Sequence, residues 1–258
     1  MNLKSLHRVI ENGALTVEQK FLKQLELTIQ AGEQVTKRVR STNYKPSALN
    51  CPRQMFYYRK GIAVDPEPTP PSLVGVAQSG TDRHKRIQDA VMAMAKQGYD
   101  CRYIDVADFV RKFKPKGTKV VGKYGAETKC YNDIYKMSFM CDGILKIGNK
   151  YYVLEIKTES TFKFTARFGV DEKHYAQAIC YSLLFGLDDV IFLYENRDTC
   201  TKKTFLFKVT EKMRQDIVDK IGFVEKCLAE NELPQGKREE KVCMYCDYKN
   251  RCRLNLRD

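Results

Sequence analysis

Apolar positions recur every three to four residues in several parts of the chain. Phe21, Leu25 and Ile29 follow this spacing, with lysine and glutamate between them, and Thr16 with Gln19 forms a candidate capping box ahead of them. Four stretches predict helices on this basis: residues 1 to about 40, 73–97, 171–185 and 211–231.

Strand-like patterns fill the intervals between these helices. Such sequence begins near Thr128, and the run Lys136–Thr158 predicts a hairpin whose two-residue turn is Gly148-Asn149. Two further strands are predicted at residues 190–194 and 204–209. The order of helices and strands predicts an α/β fold with a mixed central sheet flanked by helices.

Two segments have neither pattern. Residues 65–71 are rich in proline, so we expect an extended surface loop that cannot be helical. Residues 111–123 contain six lysines and arginines, no acidic residue, one proline and two glycines. This composition predicts a basic loop.

The predicted hairpin brings charged side chains together. Counting outward from its turn places Asp142 opposite Glu155, and Lys157 shares their face because it lies two residues further along the strand. Two facing carboxylates in an apolar strand repel each other unless a divalent cation such as Mg²⁺ joins them. Such a cation activates water and polarises a phosphoryl group, and Lys157 could offset charge on the phosphate. The alternative is a surface hairpin with ordinary charges.

Two predicted helices add candidate site residues. His84 shares the apolar face of Ile87 and Val91, and an imidazole ligand would suit Mn²⁺ as well as Mg²⁺. The alternative for His84 is a hydrogen-bonded core histidine. Gln177 and Tyr181 lie four residues apart on one helix face and could bind phosphate or orient a site group. Their alternative role is packing at the polar edge of the helix.

Cysteines near the carboxyl terminus indicate a second metal site. Cys243, Cys246 and Cys252 are closely spaced, and a closed site needs a fourth ligand, for which Cys51 is the best candidate. The chain shows no secretory signal and no membrane-spanning apolar run, so we expect a cytoplasmic location, where clustered cysteines bind metal more often than they form disulfides. Spacing leaves both a zinc site and a [4Fe–4S] cluster open.

The net charge of +13 over 258 residues favours a polyanionic partner, most commonly nucleic acid, although a basic protein without such a partner is an alternative. We expect no membrane partner. The candidate contacts to a DNA backbone are Arg53, Arg59, Lys112, Lys114 and Lys116.

The order of these residues resembles that of the iron–sulfur RecB-like nucleases of the PD-(D/E)XK type. That family includes CRISPR-associated members, nuclease domains of AddB-type helicase–nucleases, and phage exonucleases. Cys141 stands where the signature has proline. The matching elements are Cys51-Pro52-Arg53 followed by Tyr57-Tyr58, Gly80 with His84, Asp142, Glu155-Ile156-Lys157, Gln177 with Tyr181, Tyr194-Glu195-Asn196-Arg197, and the cysteine triplet.

The resemblance implies a DNA nuclease, expected to be an exonuclease on single strands or DNA ends in replication, recombination or repair, in a bacterium or a phage-infected host. It implies a nuclease domain over residues 47–258 and an N-terminal helical region over residues 1–46, and leaves open whether that region docks a helicase or recombinase. It favours [4Fe–4S] over zinc. Its site residues are the metal ligands His84, Asp142, Glu155 and the Ile156 carbonyl, with Lys157, Gln177 and Tyr181 as catalytic candidates. Two alternatives remain: a non-catalytic DNA-binding module with a structural four-cysteine zinc, and a CRISPR adaptation nuclease.

Overall fold

The computed structural model describes residues 15–35, 42–64, 70–124, 127–236, 243 and 246–254. The α-helices in this part of the chain are α1 (Val17–Val35), α2 (Pro52–Arg59), α3 (Pro71–Met94), α4 (Val106–Phe113), α5 (Thr161–Thr165), α6 (Tyr175–Phe185), α7 (Glu211–Glu230) and α8 (Lys249–Leu254). The strands are β1 (Arg102–Ile104), β2 (Thr118–Tyr124), β3 (Glu127–Asn132), β4 (Met137–Phe139), β5 (Gly143–Ile147), β6 (Lys150–Glu159), β7 (Asp189–Asn196) and β8 (Lys202–Lys208). Short 3-10 helices occupy Pro46–Ala48, Ala95–Gln97 and Glu172–His174.

The chain divides into two compact units, one formed by Met1–Val39 with Pro66–Thr81 and the other by Arg40–Asp65 with Asp82–Asp258. The boundary predicted between residues 46 and 47 stays a prediction. In the first unit, the predicted capping box at the start of α1 is confirmed, because Thr16 N donates to Gln19 Oε1 at 3.0 Å.

The second unit is built on a five-stranded sheet in the order β1-β5-β6-β7-β8. Strands β6 and β7 pair in parallel, whereas the other neighbours pair antiparallel. The predicted α/β fold with a mixed central sheet is therefore confirmed. A separate three-stranded antiparallel sheet has the order β2-β3-β4.

The core of the second unit lies on both faces of β6 and β7. Val153, Ile156, Phe192 and Tyr194 are fully buried, because both strands are flanked by neighbouring strands and covered by helices. A central strand of this kind places any charged side chain it carries in a protected environment.

The β5–β6 hairpin has the predicted register, with Ile147 opposite Lys150 and Leu145 opposite Tyr152. The prediction was wrong at its start, because Met137–Phe139 forms β4 in the three-stranded sheet instead of extending the hairpin. An apolar run gives a strand its period but does not identify its pairing partner.

The prediction of a basic loop over residues 111–123 was wrong. The segment begins in α4, where Val106, Phe109 and Val110 are buried at helical spacing and Asp105 caps the helix by accepting from Ala107 N at 2.8 Å. It ends in β2, so only residues 114–117 connect the two elements. Arg111, Lys112, Lys119 and Lys123 occupy exposed positions of these two elements, and Lys114 and Lys116 lie in the connection. A count of charges does not distinguish exposed positions of regular elements from a loop.

The predictions for the remaining helices are largely confirmed by α3, α6 and α7. In the proline-rich segment, residues 65–69 lie outside the described residues. Pro71 is the first residue of α3 and so contradicts the prediction that the whole segment is non-helical, because proline fits the first turn of a helix. No helix in the described ranges is both long enough and apolar enough to cross a membrane.

Candidate metal centre

Helix α3 and the β5–β6 hairpin position three of the predicted metal ligands. His84 lies on α3, Asp142 immediately precedes β5, and Glu155 lies in the middle of β6. Asp142 is 5% exposed and Glu155 is 3% exposed, so both carboxylates are held away from solvent. Carboxylates are rarely buried without cations or hydrogen-bond donors beside them.

The Asp142 carboxylate is held from two sides. Its Oδ2 accepts from Ile156 N at 2.6 Å, across the hairpin, and its Oδ1 lies 2.9 Å from His84 Nδ1. Gln88 Nε2, on the same helix as His84, donates to the Asp142 carbonyl at 2.8 Å. These bonds fix the position of Asp142 against both β6 and α3.

A chain of hydrogen bonds links Glu155 to α6. Lys157 Nζ donates to Glu155 Oε1 at 2.5 Å and to Gln177 Oε1 at 3.0 Å. Gln177 Nε2 donates to the Tyr181 hydroxyl at 2.9 Å, and that hydroxyl donates to the Met140 carbonyl at 2.5 Å. The structure thus brings together the three candidates on β6 and α6, with the ammonium of Lys157 held between an acid and an amide.

The pKa values of Glu155 and His84 are both shifted by their neighbours. Burial and the charge of Asp142 raise the pKa of Glu155, and the ammonium of Lys157 opposes this shift only in part. Burial alone would lower the pKa of His84, but the hydrogen bond and charge of Asp142 outweigh burial and raise it. The charge of Asp142 therefore raises the pKa of both neighbours, as expected for a carboxylate whose negative charge is only partly compensated.

Glu127 is a further acid at this site that the sequence did not indicate. Single ligand atoms from His84, Glu127 and Asp142 all lie within 4.8 Å of one another. Burial, followed by the charge of Asp142, raises the pKa of Glu127. Glu127 is the first residue of β3, so it reaches Asp142 from the three-stranded sheet and not from the central sheet. Nothing in its local sequence distinguishes it from a surface glutamate.

The donor atoms present suit a hard divalent cation. Carboxylate oxygens are the protein ligands that Mg²⁺ prefers, and an imidazole nitrogen is acceptable to Mn²⁺. Asp142 and Glu155 are both buried, and the Asp142 carboxylate lies between His84 and the backbone of β6. The residues therefore fit Mg²⁺ or Mn²⁺ on the observed geometry.

No protein-family model matches the sequence, and no curated protein matches it significantly. Among solved structures, the chain is similar to SSO0001, with a TM-score of 0.48, 16% identity, and coverage of 92% of this chain and 98% of that one. It is also similar to the alkaline exonuclease LHK-Exo from Laribacter hongkongensis, with a TM-score of 0.45, 11% identity, and coverage of 84% and 96%. The same enzyme in complex with dAMP gives a TM-score of 0.47 at the same identity and coverage.

The four cysteines predicted to bind a second metal come from two distant parts of the chain. Cys51 is the residue before α2. Cys252 lies in α8, and Cys246 lies three residues before that helix begins. Cys246 N donates to the Cys243 carbonyl at 3.2 Å. Burial raises the pKa of the Cys246 thiol, and Cys51 and Cys243 are close enough to raise it further. The structure thus brings the start of α2, which Cys51 precedes, to the C-terminal segment.

Aromatic packing holds α2 against this C-terminal segment. The Tyr248 ring lies 5.0 Å from the Tyr57 ring and 5.5 Å from the Tyr58 ring, measured between centroids. Arg53 Nη1 reaches Cys252 Sγ at 3.8 Å. These contacts explain how residues almost two hundred positions apart in sequence become neighbours.

The basic residues predicted to contact DNA fall into two groups. Arg59 Nε donates to Glu225 Oε1 at 2.8 Å, and Arg53 Nε donates to the Pro234 carbonyl at 2.8 Å, so both arginines make internal contacts. The other candidates, which lie at the end of α4 and just after it, are exposed: Lys112, Lys114 and Lys116. DNA contact by any of the five stays a prediction.

Proposed function

We propose that the chain is a metal-dependent deoxyribonuclease, acting as an exonuclease on single-stranded DNA or DNA ends in replication, recombination or repair. The observation that carries this proposal is the buried pair Asp142 and Glu155, with the Lys157 ammonium 2.5 Å from Glu155 Oε1. Stability alone does not account for these two buried acids, because the charge of Asp142 acts against ionisation of the Glu155 carboxyl.

The proposed ligands of the divalent cation are His84, Asp142, Glu155 and the Ile156 carbonyl, and Glu127 is added on the observed geometry. When bound, Mg²⁺ or Mn²⁺ supplies Lewis-acid polarisation of the phosphoryl group and lowers the pKa of a water ligand. The hydrogen bond from Ile156 N keeps one Asp142 oxygen directed at β6.

Lys157 has a separate role in the proposed reaction. Its positive charge would stabilise the negative charge that develops on the phosphate as water attacks phosphorus and the P–O bond breaks. Gln177 accepts from Lys157 at 3.0 Å and is itself held by Tyr181, so these two residues limit the positions of the ammonium. Positioned charge costs little reorganisation during the reaction.

For the second metal, we propose a [4Fe–4S] cluster held by Cys51, Cys243, Cys246 and Cys252. Two contacts support this: Cys246 N donates to the Cys243 carbonyl at 3.2 Å, and Arg53, two residues after Cys51, lies 3.8 Å from Cys252 Sγ. A cluster there would link α2 to the C-terminal segment and stabilise a long closed loop. A four-cysteine zinc site would use the same residues, and metal analysis separates the two.

Cleavage of end-labelled DNA tests the proposed function. Single- and double-stranded substrates are incubated with Mg²⁺ or Mn²⁺, and we expect stepwise shortening that requires the cation. Glu155→Ala should abolish it, and EDTA should stop it. Binding without cleavage under all of these conditions would overturn the nuclease proposal and favour a non-catalytic DNA-binding module.

A further inference from the structure

Tyr124 lies directly opposite Glu127 in the β2–β3 pairing. Opposed residues in an antiparallel pair project from the same face, with their Cβ atoms roughly 4.5–5.5 Å apart. Because Glu127 belongs to the group formed with His84 and Asp142, Tyr124 stands at the edge of the candidate metal centre. The basic-segment prediction included part of β2 but did not single out this residue.

The Tyr124 ring is supported on one side and open on the other. Tyr124 is 61% exposed, which is high for a large aromatic residue at the end of a strand. A Cβ at Gly122 would lie 3.3 Å from Tyr124 Cε2, so the ring edge lies across the position where another residue would have a side chain. Because Gly122 has no side chain, the Tyr124 ring packs close to the backbone of β2, and part of the ring faces solvent.

A lysine lies over one face of this ring, which leaves the other face for a base. Lys129 lies two residues after Glu127 on β3, on the same face, and its Nζ is 5.9 Å from the Tyr124 ring centroid. Within the part of the chain that the structure describes, Lys129 forms no ion pair with a carboxylate. An aromatic face next to an ammonium is the combination that single-stranded nucleic acids bind, with the base on the ring and the phosphate on the cation.

We propose that Tyr124 and Lys129 form a nucleotide platform that stacks an unpaired base on Tyr124 and binds the adjoining phosphate with Lys129. The platform selects single-stranded DNA, because bases in a duplex are already stacked on their neighbours. Its position opposite Glu127 would place the backbone of the bound strand next to the candidate metal centre. This inference rests on the proposed nuclease function for its choice of DNA, but not on cleavage for its test.

Binding to matched oligonucleotides tests the platform. Fluorescence anisotropy is measured with Ca²⁺, on a single-stranded DNA and on the same strand with abasic sites replacing the bases. Tyr124→Ala should weaken binding of the normal strand about 10-fold, within the range produced by base–aromatic stacking, and should hardly change binding of the abasic strand. Tyr124→Phe should retain normal binding.

Tyr99→Ala is the matched control, because Tyr99 has the same 61% exposure. Its neighbour Asp100 accepts from Gly148 N at 3.1 Å, so Tyr99 lies near the hairpin turn, at the opposite end of β5 from Asp142. Tyr99→Ala should leave binding of both strands unchanged. Lys129→Gln should weaken binding of both strands equally, since phosphates are present in each.

The outcomes separate this inference from the proposed function. Equal weakening of the normal and abasic strands by Tyr124→Ala, or no weakening, would overturn the stacking role of Tyr124. A wild-type protein that never cleaves DNA would overturn the nuclease proposal while the base-dependent loss of affinity still supported the platform.

Discussion

Lys157 and Glu155 lie two residues apart on one face of β6, and the Lys157 Nζ is 2.5 Å from Glu155 Oε1. Glu155 is buried, whereas the Lys157 side chain retains partial access to solvent. Removing one member of a buried ion pair leaves an uncompensated charge and is strongly destabilising, whereas apolar replacement of both is often neutral. The pair is therefore better explained by the proposed chemistry than by stability.

Lys157→Ala should reduce the cleavage rate at saturating DNA by about 10²- to 10³-fold, because it removes positive charge from the position where the phosphate becomes more negative. Affinity for DNA should change little, since most phosphate contacts lie elsewhere. Single-turnover cleavage measures the rate, fluorescence anisotropy with Ca²⁺ measures the affinity, and circular dichroism checks that the variant is folded. Lys163→Ala, on the surface of α5, is the matched control. A folded Lys157→Ala protein with full activity would contradict the role given to Lys157.

Glu127→Gln should weaken Mn²⁺ binding by about 10-fold or more, because it removes one negative charge from the group formed with His84 and Asp142. Asp142→Asn should weaken it further, since Asp142 contacts both His84 and β6. Titration of free Mn²⁺ by electron paramagnetic resonance measures both. Glu172→Gln, an exposed acid, should have no effect. If Glu127→Gln and Glu172→Gln bind Mn²⁺ alike, Glu127 is not a ligand.

Cys51→Ser should lose as much iron and sulfide as Cys246→Ser, because a closed cluster needs all four ligands. Both variants should also unfold at lower temperature than the wild type. Cys180→Ser is the control, since Cys180 is a buried core residue of α6. Iron, sulfide and visible absorbance are measured on anaerobically purified protein. A full cluster in Cys51→Ser would exclude Cys51, and zinc without iron in the wild type would exclude the iron–sulfur assignment.

Glu225 gives a prediction for acid stability. Burial alone would raise its pKa, but hydrogen bonds from Arg59, Lys136 and Tyr44 outweigh it and lower the pKa of Glu225 to about 2 from the usual 4.5. A lowered pKa in the folded state means that the stabilisation is complete above about pH 4.5 and is lost as the pH falls toward 2. The Glu225 side chain is 29% exposed, so we expect a contribution of about 1–2 kcal/mol after solvent screening.

Comparing the unfolding of Glu225→Gln with that of the wild type tests whether Glu225 contributes stability that depends on pH. The difference in their free energies of unfolding should be largest near neutral pH and should shrink below about pH 4. Glu230→Gln, on the same helix, is the control, because Glu230 forms a longer and more exposed ion pair with Lys226, at 3.8 Å. A difference that stays constant down to pH 2 would show that Glu225 makes no charge-dependent contribution.

Replacement of Lys112, Lys114 and Lys116 by alanine should flatten the dependence of DNA affinity on salt, because fewer counterions are released on binding. The slope of log affinity against log salt should fall by about 2 if all three contact phosphates. Anisotropy titrations at several salt concentrations give the slope. The exposed Lys212 and Lys226 of α7 provide a control pair. An unchanged slope in the triple variant would show that these lysines do not contact DNA.

The sequence by itself determined the α/β class, the main helices and the register of the β5–β6 hairpin. These features follow from local causes: apolar period, capping residues and a two-residue turn. The turn at Gly148-Asn149 fixes which residues face each other along the hairpin, as far as Gly143 opposite Leu154, so this register required no tertiary information.

Only the tertiary structure decided which distant segments meet. It placed Glu127 beside Asp142 and β4 in a second sheet, and it turned most of a predicted basic loop into parts of α4 and β2. Each depends on packing between segments far apart in sequence, and local periodicity carries no information about which surfaces become neighbours. Glu127, at the start of β3, becomes a candidate metal ligand only because the three-stranded sheet brings it close to Asp142 and His84.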